Sequence, residues 1–228
     1  MKILYILLIL ISACIVLEIF NLNYENFIVL EEDLIVSDEF LFFCNKTLKY
    51  YEKKKKVWHI NCWIFENVNS DEKFFFSTHM SCWGWATWSN RWNRLNKIKK
   101  KQIYFDVKKN FKVRFDYLNV GSYLSLLLNY RSKINTWAVY WYYLIFKKNG
   151  LTITPFKTLV INTGFNLKST NTKINYYHKL SIKKNTLGKN IVYKKPFLDE
   201  RTHYKLKRLY LKKNLFLIIF VKIKKLII

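Results

Sequence analysis

The chain contains few residues of several types, and each shortage excludes a class of protein. Five glycines and two prolines among 228 residues are too few for a collagen-like or linker-like sequence. The four cysteines include no Cys-x-x-Cys pair, so their spacing does not predict a zinc site. Cys62 and Cys82 are candidates for a disulfide, but we expect reduced thiols that are buried as small apolar side chains.

Acidic side chains are also scarce, with 15 Asp and Glu against 40 Lys and Arg. Residues 1–95 carry 10 basic and 11 acidic side chains, whereas residues 96–228 carry 30 and 4. A basic half is typical of proteins that meet polyanions, either nucleic acid or anionic lipid. Because lysines outnumber arginines by 34 to 6, the pattern favours diffuse attraction over specific readout of bases. A gene rich in A and T explains the same bias, since Lys, Asn, Ile, Phe and Tyr have A/T-rich codons.

Apolar residues, in contrast, are abundant: 51% of the chain is hydrophobic and 18% is aromatic. This composition excludes a disordered chain and suffices for one sizeable core. The first apolar stretch, residues 3–20, suits a marginal membrane-spanning helix, a signal peptide with Lys2 at its start, or a buried helix. We predict an apolar N-terminal helix over residues 1–23, which either anchors the chain in a membrane or packs in the domain.

Downstream, apolar patterns alternate between those of strands and those of helices. Runs of β-branched and aromatic residues predict strands at 27–30, 57–60 and 74–76. Helices are predicted at 38–51, 117–130 and 136–146. Ser37 is the predicted N-cap of the first helix, and paired short strands are expected within residues 151–161. The alternation indicates an α/β layered domain over residues 24–167.

Residues 168–228 are predicted to form a basic tail, because 17 Lys and Arg face 2 acidic residues there. The apolar stretch with embedded lysines at the end of this range suits a helix that lies on a membrane surface. An anionic membrane surface is therefore an expected partner of the tail.

Three consecutive acids, Glu31, Glu32 and Asp33, directly follow the predicted strand at 27–30. Like charges at one strand end repel each other unless a cation or hydrogen-bond donors lie among them. Carboxylates are the ligands that Mg²⁺ and Mn²⁺ prefer, and open α/β sheets bind ligands at the carboxyl ends of their strands. The triplet is thus a candidate metal site, although a solvated turn explains the same pattern.

Four tryptophans lie within ten residues of one another. Trp88 and Trp92 are four residues apart and fit one buried helix face, so we assign them to the core. Flat indole rings also suit stacking against sugars or bases. We assign Trp83 and Trp85 to a binding site, where Gly84 between them allows close approach of the backbone.

These acids and tryptophans belong to a series of blocks that resembles bacterial nucleotide-sugar glycosyltransferases, relatives of glycosyltransferase family two and of the N-acetylglucosaminyltransferase I group. The blocks, which span residues 24–170, are Phe27-Ile-Val-Leu-Glu-Glu-Asp-Leu-Ile-Val-Ser37, Trp83-Gly-Trp-Ala-Thr-Trp-Ser-Asn-Arg-Trp92, Asn135-Thr-Trp137 and Asn162-Thr-Gly-Phe165. The resemblance implies a partial GT-A (Rossmann-like) fold with a mixed sheet and flanking helices. Because only 26 residues precede the strand that carries the triplet, it also implies truncation at the N-terminus.

The resemblance further implies roles for individual residues. Asp33 would bind the Mn²⁺ or Mg²⁺ that bridges the donor diphosphate, while Glu31 and Glu32 would face the ribose and the transferred sugar. The residues implied in sugar or acceptor binding are Trp83, Gly84, Trp85 and Trp137. Asn135 stands where the family carries the Asp that serves as the base, and an amide is not a general base at neutral pH.

The expected function is transfer of a sugar from a nucleotide-sugar donor to a saccharide or lipid-linked acceptor in surface-glycan synthesis. The expected location is the cytoplasmic face of the membrane, where the chain is peripheral or anchored by its N-terminal helix. The alternative is a non-enzymatic, membrane-associated basic protein. Binding of single-stranded nucleic acid is disfavoured, because the tryptophans lie in the half of the chain that carries little net charge.

Overall fold

A computed structural model of the chain describes residues 3–8, 24–64, 67–116, 121–163, 191–209 and 211. Within these residues, the chain has an α/β fold with a six-stranded mixed sheet, a separate two-stranded sheet and flanking helices. The α/β class and the mixed sheet predicted from the sequence are confirmed.

The large sheet contains both parallel and antiparallel strands. Its strands are β1 (Ile3–Leu8), β2 (Asn26–Glu31), β4 (Val57–Asn61), β5 (Phe74–Ser77), β6 (Trp85–Trp88) and β7 (Leu151–Pro155), and their order across the sheet is β1-β2-β6-β4-β7-β5. Strand β2 is parallel to β1, β7 is parallel to β4, and β6 lies antiparallel between β2 and β4. Strands β2, β4 and β7 therefore end at one edge of the sheet, which we call the carboxyl edge, and begin at the opposite amino edge. The small sheet pairs β3 (Leu34–Val36) with β8 (Val160–Asn162).

Helices cover both faces of the large sheet. They are α1 (Phe40–Tyr51), α2 (Ser89–Trp92), α3 (Lys100–Asp106), α4 (Lys112–Phe115), α5 (Ser122–Tyr130), α6 (Ala138–Lys147) and α7 (residues 200–209), with a 3-10 turn at Leu95–Lys97 and a π turn at Val107–Phe111. Alternate residues of β2 point to opposite faces, as in any strand. Ile28 packs with the α1 residue Phe43 on one face, while Val29 packs with the α6 residue Trp141 on the other. We call these the α1 face and the α6 face.

The strands predicted at 27–30, 57–60 and 74–76 are confirmed with shifts of one residue at their ends. The helix predicted from residue 38 begins instead at Phe40, and its N-cap is Glu39, whose side chain does not cap the helix. Ser37 was therefore wrongly predicted as the cap: its backbone carbonyl, not its hydroxyl, accepts a bond from the Phe40 N–H at 3.0 Å. Ser37 directly follows β3 and lies two residues before the N-cap position.

The N-terminal prediction of a helix is wrong for residues 3–8, which form strand β1. Strand β1 pairs in parallel with β2 from Ile3 opposite Asn26 to Leu8 opposite Glu31. A short, fully apolar run has no periodicity that separates a buried strand from a helix, and the available partner strand decides. The remainder of the predicted helix, residues 9–23, lies outside the described residues. In the part of the chain that the structure describes, no helix is long and apolar enough to cross a membrane.

The later predictions hold in part. Helices are confirmed at Ser122–Tyr130 and Ala138–Lys147, while residues 117–120 of the first lie outside the described residues. Two short strands are present within 151–161, but they do not pair with each other as predicted. Strand β7 pairs with β4 and β5, and β8 crosses to β3 in the small sheet.

The basic tail is not separate from the domain over residues 191–209, which corrects the predicted boundary. The Tyr51 hydroxyl donates to the backbone carbonyl of Lys194 at 2.9 Å, and the Asp199 N–H donates to the Phe76 carbonyl at 3.1 Å. Leu206 on α7 is only 3% exposed and belongs to the core of the α1 face. Apolar residues spaced among lysines thus serve packing here. Residues 168–190, 210 and 212–228 of the predicted tail lie outside the described residues.

Among the described cysteines, all three are free thiols, as predicted. Cys44 on α1 and Cys62 after β4 are fully buried with their sulfur atoms 3.3 Å apart. The considered disulfide between Cys62 and Cys82 is not formed.

Candidate functional site

The acid triplet forms a tight turn at the carboxyl edge of the sheet. Strand β2 ends at Glu31, β3 begins at Leu34, and the two remaining acids connect the large sheet to the small one. The backbone carbonyl of Asp33 accepts hydrogen bonds from the N–H and the hydroxyl of Thr163, at 2.7 and 2.9 Å. The end of β8 therefore fixes the position of this acid turn.

The acid turn brings three carboxyl groups together, of which Glu32 is exposed and Glu31 and Asp33 are partly buried. Burial, together with the nearby charges of Asp33 and Glu32, raises the pKa of Glu31 to about 7. The Oδ1 atom of Asp33 is buried and has no hydrogen-bond partner among the described residues. Buried carboxylate oxygens without a donor are destabilising, so this atom is a candidate ligand for a cation.

Residues 79–84, which we call the Trp loop, lie beside the acid turn. Trp85 pairs with Val29, so the antiparallel register carries the loop residues just before Trp85 along the end of β2. Cys82 of this loop lies near the same carboxylates: burial and, secondarily, the charges of Glu31 and Asp33 raise the pKa of its thiol to about 12. The structure thus brings together the acid triplet and the tryptophan-rich block, which are about fifty residues apart in the sequence.

Gly84 is the position at which the Trp loop enters the sheet. Its φ of +58° is in the left-handed region, and a Cβ there would lie 2.7 Å from the Cγ1 of Val160 and 3.1 Å from a ring carbon of Phe40. Its carbonyl accepts a hydrogen bond from the Cys62 N–H at 3.0 Å. The close approach predicted for the backbone at this glycine is present, but the groups that approach it are the side chains of Val160 and Phe40. Contact of Gly84 with a sugar stays a prediction.

The two tryptophans assigned to a binding site have different surroundings. Trp83 is partly exposed and meets the buried Trp63 edge-on, with ring centroids 4.5 Å apart. Trp85 has no exposed surface, and its ring lies between His59 and Trp92 with centroids at 5.1 and 5.3 Å. The predicted sugar contact of Trp85 is therefore corrected to a core role, because Trp85 lies in a central strand whose α6 face is covered by helices.

The tryptophans assigned to the core are confirmed, since Trp88 and Trp92 are each only 1% exposed. Trp137, predicted to bind the acceptor, is partly buried and contacts Trp85 and Trp92 at centroid distances of 5.2 and 5.4 Å. Asn135, two residues earlier, is exposed in the connection before α6. Among the described residues, no hydrogen bond or ion pair joins Asn135 to the acid turn.

Two polar residues of β4, which the sequence analysis did not single out, hold the Trp loop. Asn61 accepts a hydrogen bond from the Ser81 N–H at 2.7 Å and donates to the His79 carbonyl at 3.0 Å. His59 accepts from the Trp141 indole N–H at Nδ1, 3.1 Å away, so Nε2 carries the proton and donates to the Ser81 carbonyl at 3.0 Å. Burial lowers the pKa of His59 to about 3, and the ring is neutral at pH 7.

The sequence did contain a signal for this pair. In the strand Val57–Asn61, His and Asn occur at alternate positions among apolar residues, and all five residues are buried. Polar side chains in a buried strand need hydrogen-bond partners, so their presence indicates a polar network under a neighbouring loop.

Metal binding at the site would rest on few protein ligands. Among the described residues, no group of three or more His, Cys, Asp or Glu side chains is close enough to hold a metal ion by itself. Mg²⁺ and similar ions in phosphate-binding sites commonly use one or two carboxylates, with substrate phosphates and water as the other ligands. The buried oxygen of Asp33 meets that requirement.

Comparisons with known proteins do not identify a family for this chain. No protein-family model matches it, and no curated protein matches it at a significant level.

Proposed function

We propose that the chain is a glycosyltransferase domain of GT-A type, which transfers a sugar from a nucleotide-sugar donor to a saccharide or lipid-linked acceptor in surface-glycan synthesis. The observation that carries the proposal is the meeting of three sequence blocks at the carboxyl edge: the acid turn, the Trp loop and Thr163 at the end of β8. Ligands of open α/β sheets bind outside the carboxyl ends of the strands, where this cluster lies.

The acid turn is the proposed site of the donor diphosphate. Asp33 would hold Mn²⁺ or Mg²⁺ through its buried carboxylate oxygen, and Glu31 and Glu32 would contact the ribose and the transferred sugar. When bound, the metal would neutralise negative charge on the leaving diphosphate as a Lewis acid. Trp83 is partly exposed next to the same turn, and an indole ring suits contact with a sugar ring.

The acceptor side of the proposed site is less complete. Trp137 and Asn135 belong to the connection that precedes α6, and the Trp137 ring packs on Trp85 at the α6 face. Since an amide does not accept a proton at neutral pH, we propose hydrogen bonding to the acceptor, and no proton transfer, for Asn135.

Calorimetry with a panel of nucleotide sugars, in Mn²⁺ and in EDTA, tests the proposal. We expect at least one donor to bind only with Mn²⁺, and Asp33→Asn to weaken that binding by about 30-fold, the loss of one charge-assisted contact. Asp71→Asn, at an exposed carboxylate in the loop before β5, is the matched control and should bind like the unaltered chain. Failure of every donor to bind, or equal effects of the two variants, would contradict the proposal.

We further propose peripheral association with anionic membranes, which would bring the domain to lipid-linked acceptors. The exposed side of α7 carries Arg201, Lys205 and Arg208, with the 57% exposed Tyr204 among them. Each cation near an anionic membrane surface contributes about 1 kcal/mol. Replacing the three cations by Gln should reduce sedimentation with phosphatidylglycerol vesicles, whereas replacing Lys108 and Lys109 should change it less. Unchanged sedimentation of the triple variant would refute the role of α7.

Membrane binding without donor binding would favour the alternative function, that of a non-enzymatic, membrane-associated basic protein.

A further inference from the structure

A cavity lies at the amino edge of the sheet, on the side opposite to the acid turn. Its volume is about 590 Å³, within the usual range for small-ligand pockets. Lys56 lies just before β4 and Gly150 just before β7, which places the cavity at the start of both strands. The proposed transfer reaction makes no use of this region.

Two parts of the chain that are distant in sequence build the apolar wall of the cavity. Phe146 from α6 and Leu151 from β7 form one part, and Leu198 comes from the segment before α7. Tyr204 lines the cavity from α7 while keeping more than half of its surface exposed. A wall of this kind buries a hydrocarbon or aromatic body.

The charges around the cavity are mostly positive. Lys56 and Arg114 are exposed at its lining, and neither forms an ion pair with any residue that the structure describes. Glu200 is the acidic residue of the lining. His203 is neutral at pH 7, because burial lowers its pKa to about 4. Two cations against one carboxylate leave one positive charge beside an apolar wall.

We propose that this cavity binds a single-chain amphiphile with an anionic headgroup, a carboxylate or a phosphate, whose headgroup contacts Lys56 and Arg114. The hydrocarbon chain lies against Phe146, Leu198 and Tyr204. Charge complementarity selects the anionic headgroup, and the apolar wall selects the chain.

Calorimetry with four ten-carbon probes below their micellar concentrations tests the site: decanoate, decyl phosphate, decanol and decyltrimethylammonium. We expect decanoate or decyl phosphate to bind at least about tenfold more tightly than decanol, because one charge-assisted contact contributes that much affinity. Decyltrimethylammonium should bind least. Preference for decanoate or for decyl phosphate identifies the headgroup, and either supports the proposal. No binding by any probe, or equal binding of the cation, overturns it.

Variants locate the binding. Lys56→Gln and Arg114→Gln should each weaken decanoate binding by about tenfold and leave decanol binding unchanged. Lys53→Gln and Arg131→Gln remove exposed cations outside the cavity and serve as matched controls. If the controls weaken decanoate binding as much as the cavity variants, the headgroup contact is refuted.

A further pair of variants separates this site from the acid turn. Tyr204→Ala, at an exposed position that tolerates truncation, should weaken both decanoate and decanol several-fold. Asp33→Asn should leave decanoate binding unchanged, so a failure of the glycosyltransferase proposal would not affect this result. If Asp33→Asn loses decanoate binding while its thermal unfolding midpoint is unchanged, the cavity is not independent of the acid turn and the proposal of a separate site is overturned.

Discussion

Gly84 joins the Trp loop to strand β6 at a point where a side chain has no room. The Cγ1 of Val160 and the ring of Phe40 occupy the space that a Cβ would need, and both residues are themselves buried. The left-handed backbone adds a second restriction, since non-glycine residues avoid positive φ. The distance between the Trp loop and the small sheet, and hence the shape of the candidate site, depends on this glycine.

Replacing Gly84 by Ala should lower the free energy of unfolding by about 3 kcal/mol, because overpacking adds to the strain of positive φ. Gly121 provides the control, since its φ is +80° but a Cβ there meets no atom within 4 Å. Gly121→Ala should cost about 1 kcal/mol, the backbone strain alone. Urea denaturation of the two variants measures the difference. Equal losses would contradict the packing argument.

Asn61 is the second residue on which the Trp loop depends. Replacing it with Leu removes the partner of the buried Ser81 N–H and the donor to the Thr154 hydroxyl, which lies 2.8 Å from the amide. We expect a loss of about 3 kcal/mol in stability and faster hydrogen exchange of the Ser81 amide. Asn110→Leu, at an exposed amide that bonds Asp106, should change stability by less than about 0.5 kcal/mol. Unchanged hydrogen exchange of the Ser81 amide would rule out the role of Asn61 in holding the Trp loop.

The residues of the site were only partly predictable. Consecutive acids after an apolar strand and a run of tryptophans are visible in any sequence, so Asp33 and Trp83 could be selected. Their proximity depends on the register of β2 with β6, which the sequence does not reveal. Trp85 was wrongly assigned because an indole ring suits a core as well as a sugar, and strand alternation decides between them. His59 and Asn61 were not predicted because their hydrogen-bond partners, Ser81 and Trp141, are distant in sequence and meet β4 only in the fold.

At the scale of secondary structure, Arg91 connects α1 with α2. Its guanidinium stacks on the Trp88 ring at 3.8 Å and donates to the carbonyls of Tyr51 and Glu52 at the end of α1, at 3.3 and 2.8 Å. A cation at a helix C-terminus interacts favourably with the helix dipole and with carbonyls that lack a partner within the helix. The group is charged at neutral pH, although burial lowers its pKa to about 10.

Replacing Arg91 by Met keeps an apolar side chain over Trp88 but removes the donors. We expect a loss of about 3 kcal/mol in the free energy of unfolding, from carbonyls left without partners and from the lost cation–π contact. Arg94→Met is the matched control, because this exposed guanidinium lies 5.3 Å from the Trp58 ring and has no comparable carbonyl contacts among the described residues. The control should lose less than about 1 kcal/mol. Urea titrations followed by circular dichroism distinguish the two, and similar losses would exclude the capping role.

Secondary structure followed from the sequence wherever polar residues interrupted the apolar pattern. Strands β2, β4 and β5 and helices α1, α5 and α6 are bounded by charged or turn-forming residues, and their predicted ranges agree with the structure to within a few residues. Strand β1 was mistaken for helix because its residues are uniformly apolar. Strand β6 was not predicted, since all four of its residues are buried and so lack the alternation that marks a half-exposed strand.

At the scale of the whole molecule, the sheet separates two buried clusters, and both extend into the basic half of the chain. The α6 face is covered by apolar residues between Ile103 and Phe115 and between Leu126 and Ile145, and the α1 face receives Leu206 from the segment assigned to a separate tail. Net charge therefore did not mark a domain boundary. Lysines occupy the exposed sides of helices whose apolar sides are buried, so composition predicted a basic surface but not the extent of the fold.

Histidines buried in both halves of the molecule make its stability depend on pH. Burial lowers the pKa of His59 to about 3, and those of His79 and His203 to about 4, below the ordinary value of 6.5. The unfolded chain then binds more protons than the folded chain below pH 6.5, so stabilisation present above pH 6.5 is lost as the pH falls. Glu31 acts oppositely: its pKa of about 7 means that the folded chain retains a proton that unfolding releases between about pH 4.5 and 7.

At pH 5.5 three histidines take up protons on unfolding and Glu31 releases one, so we expect net uptake of about two protons. The free energy of unfolding should therefore fall by about 2.5 kcal/mol for each pH unit of acidification, while its slope near pH 7 stays close to zero. Urea denaturation between pH 5 and 8, in EDTA, measures both slopes. Glu31→Gln removes the opposing proton, so it should raise the uptake at pH 5.5 to about three and steepen the slope accordingly. A slope of the opposite sign between pH 5 and 6.5 would show that the histidines are not buried as described. An identical profile for Glu31→Gln would show the same for the acid turn, and the geometry of the candidate site would then be wrong.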